Sequence, residues 1–213
     1  MRAFIGVGMA LLAYGLGAGA ALAQQNPPQG PPPGQFPTPA TLTAALDFQL
    51  TLEEREVVGI ADAMPEDKYS FAPTNGEFKG VRTFAQQVKH IATVNDRFFN
   101  AILGQPAATP GSQFEAENGP DDIQTKAQIV QYLRDSFALG HKAIATITAD
   151  NAFAVMKTPP TPFLRTPGSI AIFDVAHTMD HYGQMVEYLR DNGIVPPASR
   201  QRPPANPGPS PSK

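Results

Sequence analysis

Proline placement confines any folded body to the middle of this chain. Of 23 prolines, seven fall in residues 24–40 and seven in residues 196–213, leaving nine for everything between. Gln24 to Ala40 is rich in Gln, Pro and Gly and carries no charge. Pro196 to Lys213 is similar, with Arg200, Arg202 and Lys213 added. Neither stretch has enough apolar surface to offset the entropy lost on ordering. The first is expected to be an extended linker and the second a disordered tail. Upstream, Met1 to Ala23 has one cation, Arg2, an apolar run from Ala3 to Ala20, and the ending Ala21-Leu22-Ala23. That small-x-small ending is what signal peptidase accepts, so this segment is expected to be a secretory signal peptide removed before Gln24. A retained membrane anchor is the competing reading, which the Gly/Ala content and the cleavage pattern disfavour. With no other apolar run of spanning length, the mature protein is expected to be free of the membrane, and periplasmic or secreted.

Residues 41–195 are long enough for one well-buried domain. They carry 12 basic and 19 acidic side chains, a net of −7. That balance argues against a nucleic-acid backbone as partner and favours cations nearby. The chain has no cysteine. This excludes a disulfide scaffold, a thiolate nucleophile and a thiolate-ligated metal.

Within this middle section apolar residues recur at helical spacing, and strand signals are weak. The first helix is expected over roughly Thr41 to Met64, with Leu42, Ala45, Leu46, Leu52 and Ile60 inward and Pro65 as its end. The second is expected from about Gly80 to Leu103. Its Val81, Phe84, Val88, Ile91, Asn95, Phe98 and Ile102 step by threes and fours, the pattern of a helix–helix seam. The third is expected to start near Asp121-Asp122, two carboxylates suited to a helix N-terminus, with Ile123, Val130, Leu133, Phe137 and Ile144 inward. The fourth is expected from Gly168 to Asn192, stopped by Gly193. Four long amphipathic segments predict an all-α four-helix bundle. The link between the first two helices reads as a shorter, turn-rich one, whereas the long stretch from Gly104 to Pro120 permits a crossover in place of simple up-down-up-down order.

Four histidines, His90, His141, His177 and His181, carry the chemistry if any residues do. His177 and His181 are four apart, so on a helix they project from one side, one turn from each other. Ile170, Phe173, Gln184 and Tyr188 share that side, which places two imidazoles where the helix buries itself. Two core histidines bonded to neighbours are the bland reading. A transition metal is the sharper one, because it satisfies one nitrogen on each ring at once. Helical projection puts His90 on the flank of the second helix's seam, a position usually solvated. His141 lines up with Val130, Phe137 and Ile144 and reads as a core histidine or one that supports a ligand indirectly, ahead of a ligand itself. Asp180, one turn from His177, is suited to fixing a ring tautomer, or is a surface carboxylate. Gln184 is suited to holding a water at the site, or is a buried amide bonding another helix. On the opposite side of the same helix, Ile172, Val175, Met179 and Val186 form a second apolar stripe, to be covered either by the long loops or the first helix, or by a second copy of the chain as a homodimer.

Phe71-Ala-Pro, Thr83-Phe-Ala-Gln-Gln-Val-Lys-His90-Ile, His177-Thr-Met-Asp-His181-Tyr-Gly-Gln and Tyr188-Leu-Arg-Asp-Asn-Gly-Ile-Val-Pro-Pro197 together resemble the DinB-like (DinB/YfiT) family over most of residues 41–197. The resemblance implies a four-helix bundle whose metal site takes one histidine from the second helix and two from the fourth. By position these are His90, His177 and His181, against the flank assignment that projection alone gives His90. It assigns nothing to His141.

Three neutral imidazoles leave coordination positions open on a divalent transition metal, with zinc, nickel and iron all compatible. Two classes of function follow. One is an enzyme acting on a small molecule. Metal-assisted hydrolysis suits an exported protein better than the thiol-transferase activity that the resemblance also implies, since a cytoplasmic thiol is not routinely supplied outside the cell membrane. The other is a non-catalytic metal- or ligand-binding bundle. A pocket with several polar groups beyond the three histidines would favour the first.

Overall fold

The computed structural model describes residues 38–108 and 118–200. The expected signal peptide, residues 24–37 of the expected linker and residues 201–213 of the expected tail lie outside the described residues. Four helices make up the body: α1 Leu42–Ala63, α2 Phe84–Ile102, α3 Lys126–Ile144 and α4 Pro167–Asp191. Among the described residues there is no strand, and the chain is an all-α bundle.

Threonine starts every helix. The side chains of Thr41, Thr83, Thr125 and Thr166 each accept a hydrogen bond from the backbone N–H three residues on. At the last three, the third helical residue (Gln86, Gln128 or Ser169) bonds back to the cap's own N–H, closing a capping box that satisfies two otherwise orphaned donors. α4 begins at Pro167, one residue from its expected start, while these caps start α2 and α3 later than expected. In particular Asp121 and Asp122 lie in a turn ahead of α3 instead of in its first turn. The expected stop at Gly193 holds. Gly193 has φ +71°, its N–H bonds the Arg190 carbonyl, and Ile194 N–H bonds the Leu189 carbonyl. This paired closure needs a left-handed residue at that point, which glycine supplies without strain.

α2 packs on α3 and α4, and α1 packs on the same two helices, so α1 and α2 occupy one diagonal and α3 and α4 the other. Contacts between named residues fix the directions. Lys126 Nζ at the start of α3 donates to the Asp62 and Met64 carbonyls at the end of α1, so these helices are antiparallel. Thr93 meets Tyr132 and Asn95 meets Ser136, so α2 and α3 run parallel. Gln87 early in α2 meets Gln184 late in α4, which makes that pair antiparallel. The order is up-down-down-up, and the long connection from α2 to α3 is the expected crossover. The link from α1 to α2 is no simple hairpin, because it reaches a diagonal position. It carries a 3-10 turn, Glu66–Lys68, and sends Tyr69 into the core, where its hydroxyl donates to the Ala61 carbonyl at 2.7 Å. After α4 the chain stays on the body to Arg200, past the expected boundary at 195. A 3-10 turn, Pro197–Ser199, follows, and the Pro197 ring lies against Gly59 of α1.

The core is aliphatic and aromatic along most of its length, with Phe84, Ile91, Phe99, Leu133, Phe137 and Met185 fully buried. Two breaks in it are polar: the face between α2 and α4, where the histidines lie, and a layer of oxygen-bearing side chains deeper in the bundle.

Candidate metal centre

His90 faces α4 from the first half of α2, and His177 and His181 face α2 from successive turns of α4. His90 and His181 are buried and His177 is half-buried. Their Nε2 atoms converge. His90 Nε2 lies 3.0 Å from His177 Nε2, and His181 Nε2 lies 3.2 Å from the same atom. The flank position that projection gives His90 is buried because α2 is covered on two sides, by α3 and by α4.

The His181 tautomer is set by a chain of amides. Asp180 Oδ2 accepts from Gln184 Nε2 at 2.8 Å, Gln184 Oε1 accepts from Gln87 Nε2 at 2.8 Å, and Gln87 Oε1 accepts from His181 Nδ1 at 2.7 Å. With its proton on Nδ1, His181 turns a lone pair on Nε2 toward the other two rings. Neutral tautomers can then make at most one of the two short nitrogen–nitrogen contacts a hydrogen bond. A cation takes all three lone pairs. A tetrahedral ion holding nitrogens at about 2.0–2.1 Å sets them roughly 3.4 Å apart, close to the spacing found. Burial, followed by the neighbouring His181 and His90 rings, lowers His177 to a pKa of about 3. Burial, His90 and Arg82 lower His181 to about 4. Both rings are therefore neutral at pH 7, the state a metal requires of an imidazole. Phe173 stacks on His177 at 5.5 Å and 18°, restraining the ring from its apolar side. The residues present thus fit a bound divalent transition metal, and the three histidines form a group that could hold one.

Other sequence candidates fall elsewhere. Asp180 is exposed; its hydrogen bonds reach the histidines through Gln184 and Gln87, and its charge favours the protonated form of His177, opposing the larger effect of burial. Gln184 is the amide that bonds another helix. His141 stays out of the cluster: its Nδ1 meets Asp47 at 2.6 Å and its Nε2 meets Glu54 at 3.3 Å, both on α1. Gln87 escaped the sequence reading. Its position three before His90 places both on adjacent turns of one helix, a spacing that was there to be used. Beside this amide chain is a cavity of 470 Å³ lined by Gly80, Val81, Arg82, Gln86, Gln87, Asn118 and Gln184. Its wall is the Gln87–Gln184 pair, with the histidines behind it.

Bundle and site together define a class: helical proteins with three imidazoles from two antiparallel helices directed at one point. The family model described as the DinB superfamily matches residues 49–185, and the chain belongs to that superfamily. No curated protein sequence matches significantly. Among solved structures, an uncharacterised protein from Escherichia coli UTI89 aligns with a TM-score of 0.55 at 16% identity, over 74% of this chain and 97% of that one. That similarity concerns the fold alone.

Proposed function

We propose that this is an exported DinB-superfamily protein that holds one divalent transition metal at His90, His177 and His181 and acts on a small polar molecule, by metal-assisted hydrolysis. The convergence of three imidazole nitrogens, with those of His90 and His181 lying 3.0 and 3.2 Å from that of His177, carries the metal assignment. When bound, such an ion supplies Lewis acidity, which polarises a carbonyl or phosphoryl group and acidifies water. Around it the chain's own residues orient and seal. Gln87 fixes the His181 ring, Phe173 shields His177, and the cavity is lined by Gln86, Asn118 and Arg82, whose Nε donates to Asn118 Oδ1 at 2.9 Å. That polar lining supports a small-molecule ligand. The histidines stand behind the cavity wall, and this favours, as a second reading, a metal site that organises a binding pocket without catalysis. The apolar stripe on α4 supports a homodimer in part: Ile172 and Met179 are exposed, Val175 is half-buried, and Val186 packs on the core.

Elemental analysis tests the reading, on protein expressed from the full gene, purified without a histidine tag and compared with His177→Ala. The mature chain is expected to begin at Gln24 and to retain about one equivalent of metal, with the variant retaining a small fraction of it. Near-zero metal in both would remove the basis of the proposal. Chelator-sensitive turnover of small esters, amides or phosphoesters distinguishes hydrolase from binding protein.

A further inference from the structure

Deeper in the bundle, one turn of α4 before His177, a second polar group lies in the core. Glu53 of α1 is 1% exposed and Asp174 of α4 is 2% exposed. Asn95 of α2 and Thr178 of α4 are wholly buried, and Ser136 of α3 is buried beside them. All four helices contribute an oxygen-bearing side chain. With its amide oriented to suit its neighbours, Asn95 Nδ2 donates to Asp174 Oδ1 at 3.1 Å and to the Ile91 carbonyl at 3.0 Å, and its Oδ1 lies 3.3 Å from Ser136 Oγ. Both carboxylate oxygens of Glu53 are buried with no hydrogen-bond partner, and so is Thr178 Oγ1. Burial raises the Glu53 carboxyl to a pKa of about 7, which Gln49, one turn earlier, offsets only in part, and neither carboxylate oxygen is in hydrogen-bond geometry.

Such a group is expensive as it stands. A carboxylate taken out of water needs a counter-charge or donors, and Asp174 also feels the charge of Glu53. Protonation relieves the charge but still leaves a Glu53 carboxyl oxygen and Thr178 Oγ1 buried without a donor. A divalent cation removes both costs: it neutralises two carboxylates and takes the unpartnered oxygens as ligands. The donors are all oxygen, which selects hard ions of the magnesium, manganese and calcium type over the softer ions suited to the histidines. We propose that Glu53, Asp174 and Thr178, steadied by Asn95, form a second divalent-cation site inside the bundle, separate in chemistry from the three histidines. The site does not depend on the histidines holding an ion.

The probe is Mn²⁺ added to chelator-stripped full-length protein that has first received one equivalent of Zn²⁺, with free Mn²⁺ read by electron paramagnetic resonance and bound metal by elemental analysis. The wild type is expected to take up about one equivalent of Mn²⁺ beyond its zinc. Glu53→Gln and Asp174→Asn, which preserve shape, are expected to lose at least about tenfold in Mn²⁺ affinity while keeping zinc. His177→Ala is expected to show the reverse, with zinc lost and Mn²⁺ retained. Absence of Mn²⁺ uptake by the zinc-loaded wild type overturns the proposal, whatever the variants do, and so does uptake unchanged in both carboxylate variants.

Discussion

His90 and His141 show how far single side chains can be placed from sequence. Helical projection put His90 on a flank and His141 on an inward line; the structure buries the first between α2 and α4 and leaves the second half-exposed against α1. Projection assumes one buried stripe, whereas α2 is covered from two directions, so its flank is interior as well. The four-residue spacing of His177 and His181 was legible because both sit on one helix. That His90 meets them depends on which helices are neighbours, and the residue pattern of α2 alone does not contain that information. His141 has a separate consequence. Burial lowers its pKa, but the hydrogen bonds and charges of Asp47 and Glu54 outweigh this and raise it above the ordinary value. A histidine with a raised folded-state pKa binds its proton more tightly when folded. Its contribution to stability is full below the unfolded value near pH 6.5 and disappears as pH rises through the folded value. His141→Gln is therefore expected to lower the melting temperature more at pH 5.5 than at pH 9; an equal loss at both would mean that the ion pairs contribute nothing.

Helices as elements were readable from apolar spacing, and their ends less so. Expected starts at Gly80 and Asp121 gave way to threonine caps, because a side chain accepting a backbone N–H fixes the first turn more strongly than nearby acidic charge does, whereas α4 begins within one residue of its expected start. Helix contact also depends on a residue that periodicity ignores. Gly140 of α3 faces both α2 and α1: an added Cβ would stand 2.7 Å from the Phe99 ring of α2 and 2.9 Å from a Leu50 methyl of α1. Gly140→Ala gains helix propensity, about 1 kcal/mol. Against this, overpacking costs about 1–3 kcal/mol, so net destabilisation is expected in urea unfolding. A variant as stable as the wild type would show that Phe99 and Leu50 move aside freely.

For the molecule as a whole, the bundle class followed from four amphipathic segments, but the diagonal placement of α1 and α2 did not, since link length alone does not say which corner a chain reaches. That placement makes α2 and α4 antiparallel neighbours, and the proposed metal bridges them. Binding to the folded state alone stabilises it, by about 2.7 kcal/mol at a hundredfold excess over the dissociation constant. Chelation is thus expected to lower the melting temperature of the zinc-loaded wild type by clearly more than that of zinc-loaded His90→Ala, which lacks one ligand. The most direct measurement is X-ray absorption at the metal edge of protein loaded with one equivalent of zinc. Three imidazole nitrogens at about 2.0–2.1 Å are expected in the wild type and two in His90→Ala. A first coordination sphere with fewer than three imidazoles in the wild type, or one unaltered by His90→Ala, would contradict the three-histidine assignment.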